Sequence, residues 1–180
     1  LEHLLGRAVD GPSRRALQGA IARSPNASLV DGLLTCVERP SEYPAPSVAE
    51  AAELLGLRRE AVALPALAAL AAPGQNPISR RAAVVALGRI GDRALADHIA
   101  PALQDPSLAE QAALALLMLG DRRGLDFHGR ALDKGRSDLS GSPGEIVGRF
   151  GGPSWLLLLR AAAEGDDERA VGALQGLGLL

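Results

Sequence analysis

The sequence has little material for covalent cross-links or for packing of large rings. Cys36 is the only cysteine among 180 residues, so no intramolecular disulfide and no cysteine-based zinc site can form. Aromatic residues make up only 2% of the chain, whereas hydrophobic residues make up 47%. A core built from Ala, Leu, Val and Ile favours helices that pack closely through small side chains.

The chain also lacks a strong excess of charge and a long apolar run. Nineteen basic residues stand against twenty-one acidic ones, which leaves a net charge of −2 and no field that attracts nucleic acid or an anionic membrane. The longest strongly apolar run, residues 61–72, contains Pro65 and is shorter than the ~20 residues that span a bilayer. We therefore expect no membrane association.

Motifs of known catalytic sites are missing as well. The sequence has no Ser-His-Asp arrangement and no G-x-S-x-G, H-E-x-x-H or phosphate-loop pattern, so we predict no enzyme activity, no cofactor and no metal. His98 and His128, each close to an aspartate, could form a small polar cluster. Two histidines are a poor ligand set, and a solvated surface is the favoured interpretation for both.

The chain does contain an internal repeat. Residues 77–92 read "PISRRAAVVALGRIGD" and residues 106–121 read "PSLAEQAALALLMLGD", an ungapped match of the apolar positions at a spacing of 29 residues. Small and apolar residues recur in each copy at i, i+3, i+4 and i+7, which predicts a helix.

The ends of each copy predict where its helix begins and ends. A proline suits the first turn, a glycine suits the left-handed end, and the aspartate that follows suits the N-cap of a second helix. These residues are Pro77, Gly91 and Asp92 in the first copy and Pro106, Gly120 and Asp121 in the second. The second helices are predicted over residues 93–105 and 122–134, so each unit is a helix, a tight turn and another helix.

Weaker copies extend the pattern. Residues 46–74 keep the helix-turn-helix order, and residues 146–180 show further partial repeats. Residues 1–45 are helical but off-register and are interpreted as degenerate or capping helices. Residues 136–145, rich in Gly and Ser, predict a loop insertion, for which a floppy connection is favoured over a binding feature.

The motif A-x-x-A-L-G-x-x-G-D, which stands here at residues 83–92, resembles the HEAT-like repeat family, in particular the short bacterial type of the phycobilisome lyases. The resemblance rests mainly on residues 46–135. It implies an all-α fold, a right-handed α-solenoid of stacked antiparallel helix pairs, formed as a single domain over residues 1–180. The second helices would then line the concave face.

Two features suggest other ligands. "LGRIGD" at 87–92 and "VGRFGG" at 147–152 match a phosphate-clamping G-x-x-G, but their glycines fall where two helices meet, so we interpret them as turns. Pairs of arginines could form a basic ridge for nucleic acid. They do not occupy one repeat position, since the pair at 80–81 begins a first helix and the pair at 122–123 begins a second.

The favoured function is a non-catalytic scaffold that binds another protein on the concave face. A bilin-lyase-type accessory protein and a HEAT-like DNA-binding or DNA-repair protein remain alternatives implied by the resemblance. The candidate partner-binding residues are those on the second helices: Arg93, Asp97, His98, Arg122, Arg123, Asp126, His128 and Arg130.

The ends of the chain carry further expectations. The first residue is Leu1 rather than Met, and no charged-then-apolar leader follows, so we expect a cytoplasmic protein and a fragment of a longer chain. The terminal stretches "LEHLLG" and "ALQGLGLL" lack the polar outer face of a capping repeat. They predict either more chain beyond Leu180 or end-to-end self-association.

Overall fold

The computed structural model describes residues 18–21, 23–134 and 146, and every regular element in them is helical. This confirms the predicted all-α class for the described part. The contacts divide the chain into two compact units, with the boundary between Leu95 and Ala96. The predicted loop at 136–145 and the repeats predicted from 147 onward lie outside the described residues.

The elements follow one another through short turns. Within the described residues, the first unit contains α1 (Ala27–Glu38), α2 (Ala45–Arg58), α3 (Leu64–Ala71) and α4 (Pro77–Ile90). The described part of the second unit contains α5 (Ala96–Ile99), α6 (Ala109–Met118) and α7 (Arg122–Asp133). Short 3₁₀ turns lie between them at Pro40–Glu42, Ala61–Ala63, Arg93–Leu95 and Ala100–Gln104.

In the first unit, α2 and α4 lie side by side and run parallel. Near their starts, the Ser79 hydroxyl donates a hydrogen bond of 3.2 Å to the Ala45 carbonyl. Near their ends, Gly56 lies so close to Ala86 that an added Cβ would be 2.7 Å from the Ala86 Cα. The paired residues are about one repeat apart, so two successive first helices are neighbours.

Small apolar residues form the core of the first unit, as the composition predicts. On α2, Val48, Leu54 and Leu55 are fully buried, and Leu67 and Leu70 of α3 are buried equally well. α4 packs against both of these helices through a side rich in alanine. Close packing of this kind depends on small residues, which let two helix backbones approach each other.

The predicted ends of α4 are confirmed. Asn76 is the N-cap and its side chain accepts a hydrogen bond from the Ile78 amide, while Pro77 occupies the first turn. Gly91 ends the helix with φ of 89°, a left-handed conformation that glycine adopts without steric penalty. Asp92 then accepts a hydrogen bond from the Ala94 amide at 3.0 Å, so it caps the next helical turn.

The structure departs from the prediction in two places. Residues 93–105, predicted as one helix, form the 3₁₀ turn Arg93–Leu95 at the end of the first unit and, in the second unit, the four-residue α5 and the 3₁₀ turn Ala100–Gln104. Pro101 lies at the start of that last turn and has no N–H with which to continue an α-helix. The helix predicted to open near Pro106 begins at Ala109. Asp105 accepts hydrogen bonds from the amide and hydroxyl of Ser107, which favours a turn at 106–108 over a helix.

The helix α7 matches its prediction at both ends. Its N-cap is Asp121, which follows Gly120 at φ of 72°. It packs antiparallel on α6, where Gly124 lies against the Ala113 carbonyl and within reach of Leu116 and Leu117. This close approach holds the first turn of α7 against the end of α6.

Candidate functional site

The candidate surface is built on α7. Arg122, Asp126 and Arg130 recur every four residues and therefore lie on one side of this helix. The side chain of Arg122 is 81% exposed and Arg130 is exposed as well, whereas Leu125 and Leu132 are buried on the opposite side. The apolar side fixes the helix on the unit, and the charged side is left to face the solvent.

Asp121 sets the position of Arg123 at the start of α7. Its carboxylate accepts a hydrogen bond from the Arg123 amide at 2.9 Å and therefore caps the helix. The same carboxylate accepts two bonds from the Arg123 guanidinium, from Nε at 2.9 Å and from Nη2 at 2.7 Å. A backbone bond and a bidentate ion pair thus act on one carboxylate.

Arg123 also reaches a residue of α5. Its Nη2 donates to Asp97 Oδ1 at 2.8 Å, so the guanidinium bridges two carboxylates from separate helical segments. The hydrogen bonds that Asp121 accepts from Arg123 hold the pKa of Asp121 below its ordinary value, and the bond from the Arg123 side chain is the largest cause. The two carboxylates raise the pKa of Arg123 in turn, that of Asp121 most.

We call Asp97, Arg122, Arg123, Asp126 and Arg130 the charged face of the second unit. Arg122 and Asp126 form a looser ion pair across one helical turn, with Nε and Oδ1 3.4 Å apart. The three arginines are balanced by Asp97, Asp126 and the half-buried Asp121, so this surface has no strong excess of charge. Exposed pairs of this kind add little stability, so these side chains can exchange their partners at low cost.

The remaining predicted residues separate into two groups. His98 is exposed in the second unit, and Arg93 is exposed in the first. His128 differs from the expectation of a solvated position, because it is only 1% exposed. The expectation is wrong for His128 since this residue shares the inward side of α7 with Leu125 and Leu132, three residues before it and four after it.

Arg58 has a structural role that no pattern in the sequence predicts. It stands next to Arg59 in one of the arginine pairs that suggested a basic ridge, yet its side chain is only 11% exposed. Its Nε donates to Glu60 at 2.9 Å, and its Nη1 donates to the carbonyls of Ile21 and Ser24. No local signal predicts its burial, because the two carbonyls that accept from its Nη1 lie more than 30 residues away.

A cleft in the first unit was also missed. It has a volume of about 380 Å³ and is lined by Pro40, Ser41, Ala45, Leu70, Gln75, Asn76 and Ser79. Its polar side chains are uncharged and come from three segments, the 3₁₀ turn Pro40–Glu42, the connection before α4 and α4 itself. Only Asn76, which precedes a proline, carries a local signal, and that signal is fully explained by the cap of α4.

Within the described residues, no group of three or more His, Cys, Asp and Glu side chains is arranged to hold a metal ion. None of the helices in that part of the chain is long and apolar enough to cross a membrane.

Comparison with known proteins identifies no family for this chain. No protein-family model matches the chain, and no curated protein matches it significantly.

Proposed function

We propose that this protein is a HEAT-like repeat scaffold that binds another protein through the charged face of the second unit. The observation that carries the proposal is the contact between Asp97 and Arg123 at 2.8 Å. These residues lie on two successive second helices of the repeat pattern, so their contact joins the two helices into one polar surface. Repeat proteins commonly bind their partners on a surface that successive repeats build together.

The parallel packing of α2 and α4 supports the repeat part of the proposal. In a stack of helix pairs, each first helix lies beside the first helix of the next pair. α2 and α4 have this relation in the first unit, since Ser79 pairs with Ala45 and Gly56 with Ala86. A right-handed α-solenoid extends this arrangement to the remaining helix pairs.

The balance of charge favours a protein partner over nucleic acid. A surface that binds the phosphate backbone needs an excess of basic residues. On the charged face Arg122 forms an ion pair with Asp126, and Arg123 forms ion pairs with Asp97 and Asp121. Mixed charges of this kind suit a protein surface with complementary charges, for which they supply specificity and orientation.

Charge reversal of Arg122 and Arg130, the two arginines of the charged face outside the Arg123 network, tests the proposal. The double variant Arg122→Glu/Arg130→Glu leaves the caps and the Arg123 network intact, so its fold should be preserved. We expect capture of the partner from a lysate of the source organism by the immobilised chain to fall at least tenfold, as measured by quantitative mass spectrometry. Arg39→Glu is the matched control, because Arg39 is 63% exposed but lies in the first unit.

The outcomes separate the possible functions. Equal capture by the double variant, the Arg39→Glu control and the wild type would rule out the charged face as the binding surface. A bilin-lyase-type function predicts instead an absorbance shift of a bilin on titration with the wild-type protein. A DNA-binding function predicts affinity for duplex DNA that falls steeply with salt.

A further inference from the structure

His128 lies in the interior of the second unit and is not part of the charged face. It is 1% exposed and lies on the inward side of α7 together with Leu125 and Leu132. Its ring meets the ring of Phe127 edge to face, with the centroids 5.4 Å apart and the planes at 88°. An ionisable side chain therefore sits in the apolar layer that holds α7 in place.

The ring nitrogens of His128 are unsatisfied. Among the described residues, neither Nδ1 nor Nε2 has a hydrogen-bond partner. A neutral imidazole has one N–H donor, and a protonated imidazole has two donors and a full charge. Because a buried charge without hydrogen-bond partners is strongly unfavourable, the interior accepts the neutral ring and disfavours the protonated one.

The charged groups around His128 do not offset the cost of burying a protonated ring. Glu110 is the only ionisable residue on α6, and its attraction favours protonation. Burial has the larger effect and lowers the pKa of His128 to about 4 from its ordinary 6.5. On α7 itself, Arg122, Asp126 and Arg130 belong to the exposed side, while Arg123 is paired with Asp97 and Asp121.

We propose that His128 makes the packing of α7 on α6 sensitive to pH, so that acidification releases α7 and exposes its apolar side. The imidazole is neutral in the packed state and is protonated once it reaches water. The packed state therefore has its full stability above pH 6.5 and loses stability as the pH falls towards 4. This device goes beyond the proposed protein binding and does not depend on it.

The size of the pH effect on the opening of α7 follows from the difference between the pKa of His128 in the packed state and its ordinary pKa in water. Relative to pH 8, the equilibrium constant for opening α7 should rise about 30-fold at pH 5. Carboxylates remain largely ionised at pH 5, so this window isolates the histidine. Hydrogen exchange of the α7 amides, measured by mass spectrometry at pH 8 and pH 5 and corrected for the intrinsic exchange rate, reports the opening.

Two variants separate His128 from other causes of acid sensitivity. His128→Leu has a similar volume and no charge, so the pH dependence of α7 exchange should vanish in it. His98→Gln removes an exposed histidine of the same unit and should leave the pH dependence as in the wild type. An unchanged pH dependence in His128→Leu would overturn the proposal.

A measurement on the wild-type protein keeps the proposal testable even if His128→Leu does not fold. The NMR titration of the His128 ring proton should show an apparent pKa well below 6.5, together with loss of α7 protection in the same pH range. A His128 ring that titrates near 6.5 while the α7 amides stay protected would also overturn the proposal.

Discussion

Gly56 and Gly32 both lie inside helices, but a methyl group would meet different surroundings at each. An added Cβ at Gly56 would lie 2.7 Å from the Cα and 2.8 Å from the Cβ of Ala86, so it would push two helix backbones apart. Gly32 lies on the exposed side of α1 and has no atom within 4 Å of that position. The same substitution therefore has opposite effects at these two residues.

The variant Gly56→Ala should lose about 1–3 kcal/mol of unfolding free energy, because backbone atoms cannot move aside cheaply. The variant Gly32→Ala should gain about 0.5–1 kcal/mol, since alanine has less conformational freedom to lose in a helix. Chemical denaturation measures both. Equal effects in the two variants would contradict the close packing of α2 on α4.

Two aspartates that share the Arg123 guanidinium should differ in their importance. Asp121 also caps α7, so Asp121→Ala should lower the unfolding free energy by about 1–2 kcal/mol. Asp97 is 91% exposed, and Asp97→Ala should lose about 0.5 kcal/mol or less. The comparison is made by denaturation at pH 7, and a larger loss in Asp97→Ala would show that the bridge, not the cap, holds the start of α7.

The lowered pKa of Asp121 adds a prediction on pH. A carboxyl whose folded pKa is depressed stabilises the fold above its ordinary value of 3.8, and this stability is lost as the pH falls further. The acid limb of the stability curve should therefore be shallower below pH 3.8 in Asp121→Ala than in the wild type. Denaturation at several pH values between 2.5 and 5 would give this comparison, and parallel acid limbs would contradict it.

At the scale of the element, the turns of the repeat use different residues for the same conformation. Gly91 and Gly120 end their helices at positive φ, whereas α2 ends at Arg59 with φ of 55°. A residue with a Cβ adopts this conformation at a steric cost that glycine avoids. The left-handed turn at the end of α2 thus forms although Arg59, the residue at that position, disfavours it.

Replacement of Arg59 by glycine should relieve this cost. Arg59→Gly should raise the unfolding free energy by about 0.5–1 kcal/mol, the relief of strain exceeding the extra freedom of glycine in the unfolded chain. Arg59→Ala removes the same side chain but keeps the Cβ, so it should show little gain. Thermal denaturation distinguishes the two, and an equal gain in both variants would assign the effect to the arginine side chain instead.

At the scale of the whole molecule, the charge is close to balanced. A net charge of −2 gives no attraction for a polyanion. We therefore expect no measurable binding of duplex DNA at physiological salt by fluorescence anisotropy. Tight binding that weakens steeply as salt is raised would contradict this expectation and would favour the DNA-binding alternative.

Sequence patterns predicted the local structure wherever a few neighbouring residues fix the backbone. Helical spacing of apolar residues predicted α4 and α7, and the Gly-Asp pairs predicted where the helices end and restart. These signals are local, because a cap or a left-handed turn depends on residues a few positions apart. The composition likewise predicted an all-α protein with a core of small residues.

The packing of the helices, by contrast, sets which polar residues are buried and which of them contact each other. His98 and His128 lie 30 residues apart on segments predicted as second helices of successive repeats, yet His98 is exposed and His128 is buried. The bridge from Arg123 to Asp97 and the buried position of Arg58 depend on partners 26 or more residues away. Side-chain burial and long-range pairing follow from how helices pack, and no pattern within a single helix specifies that packing.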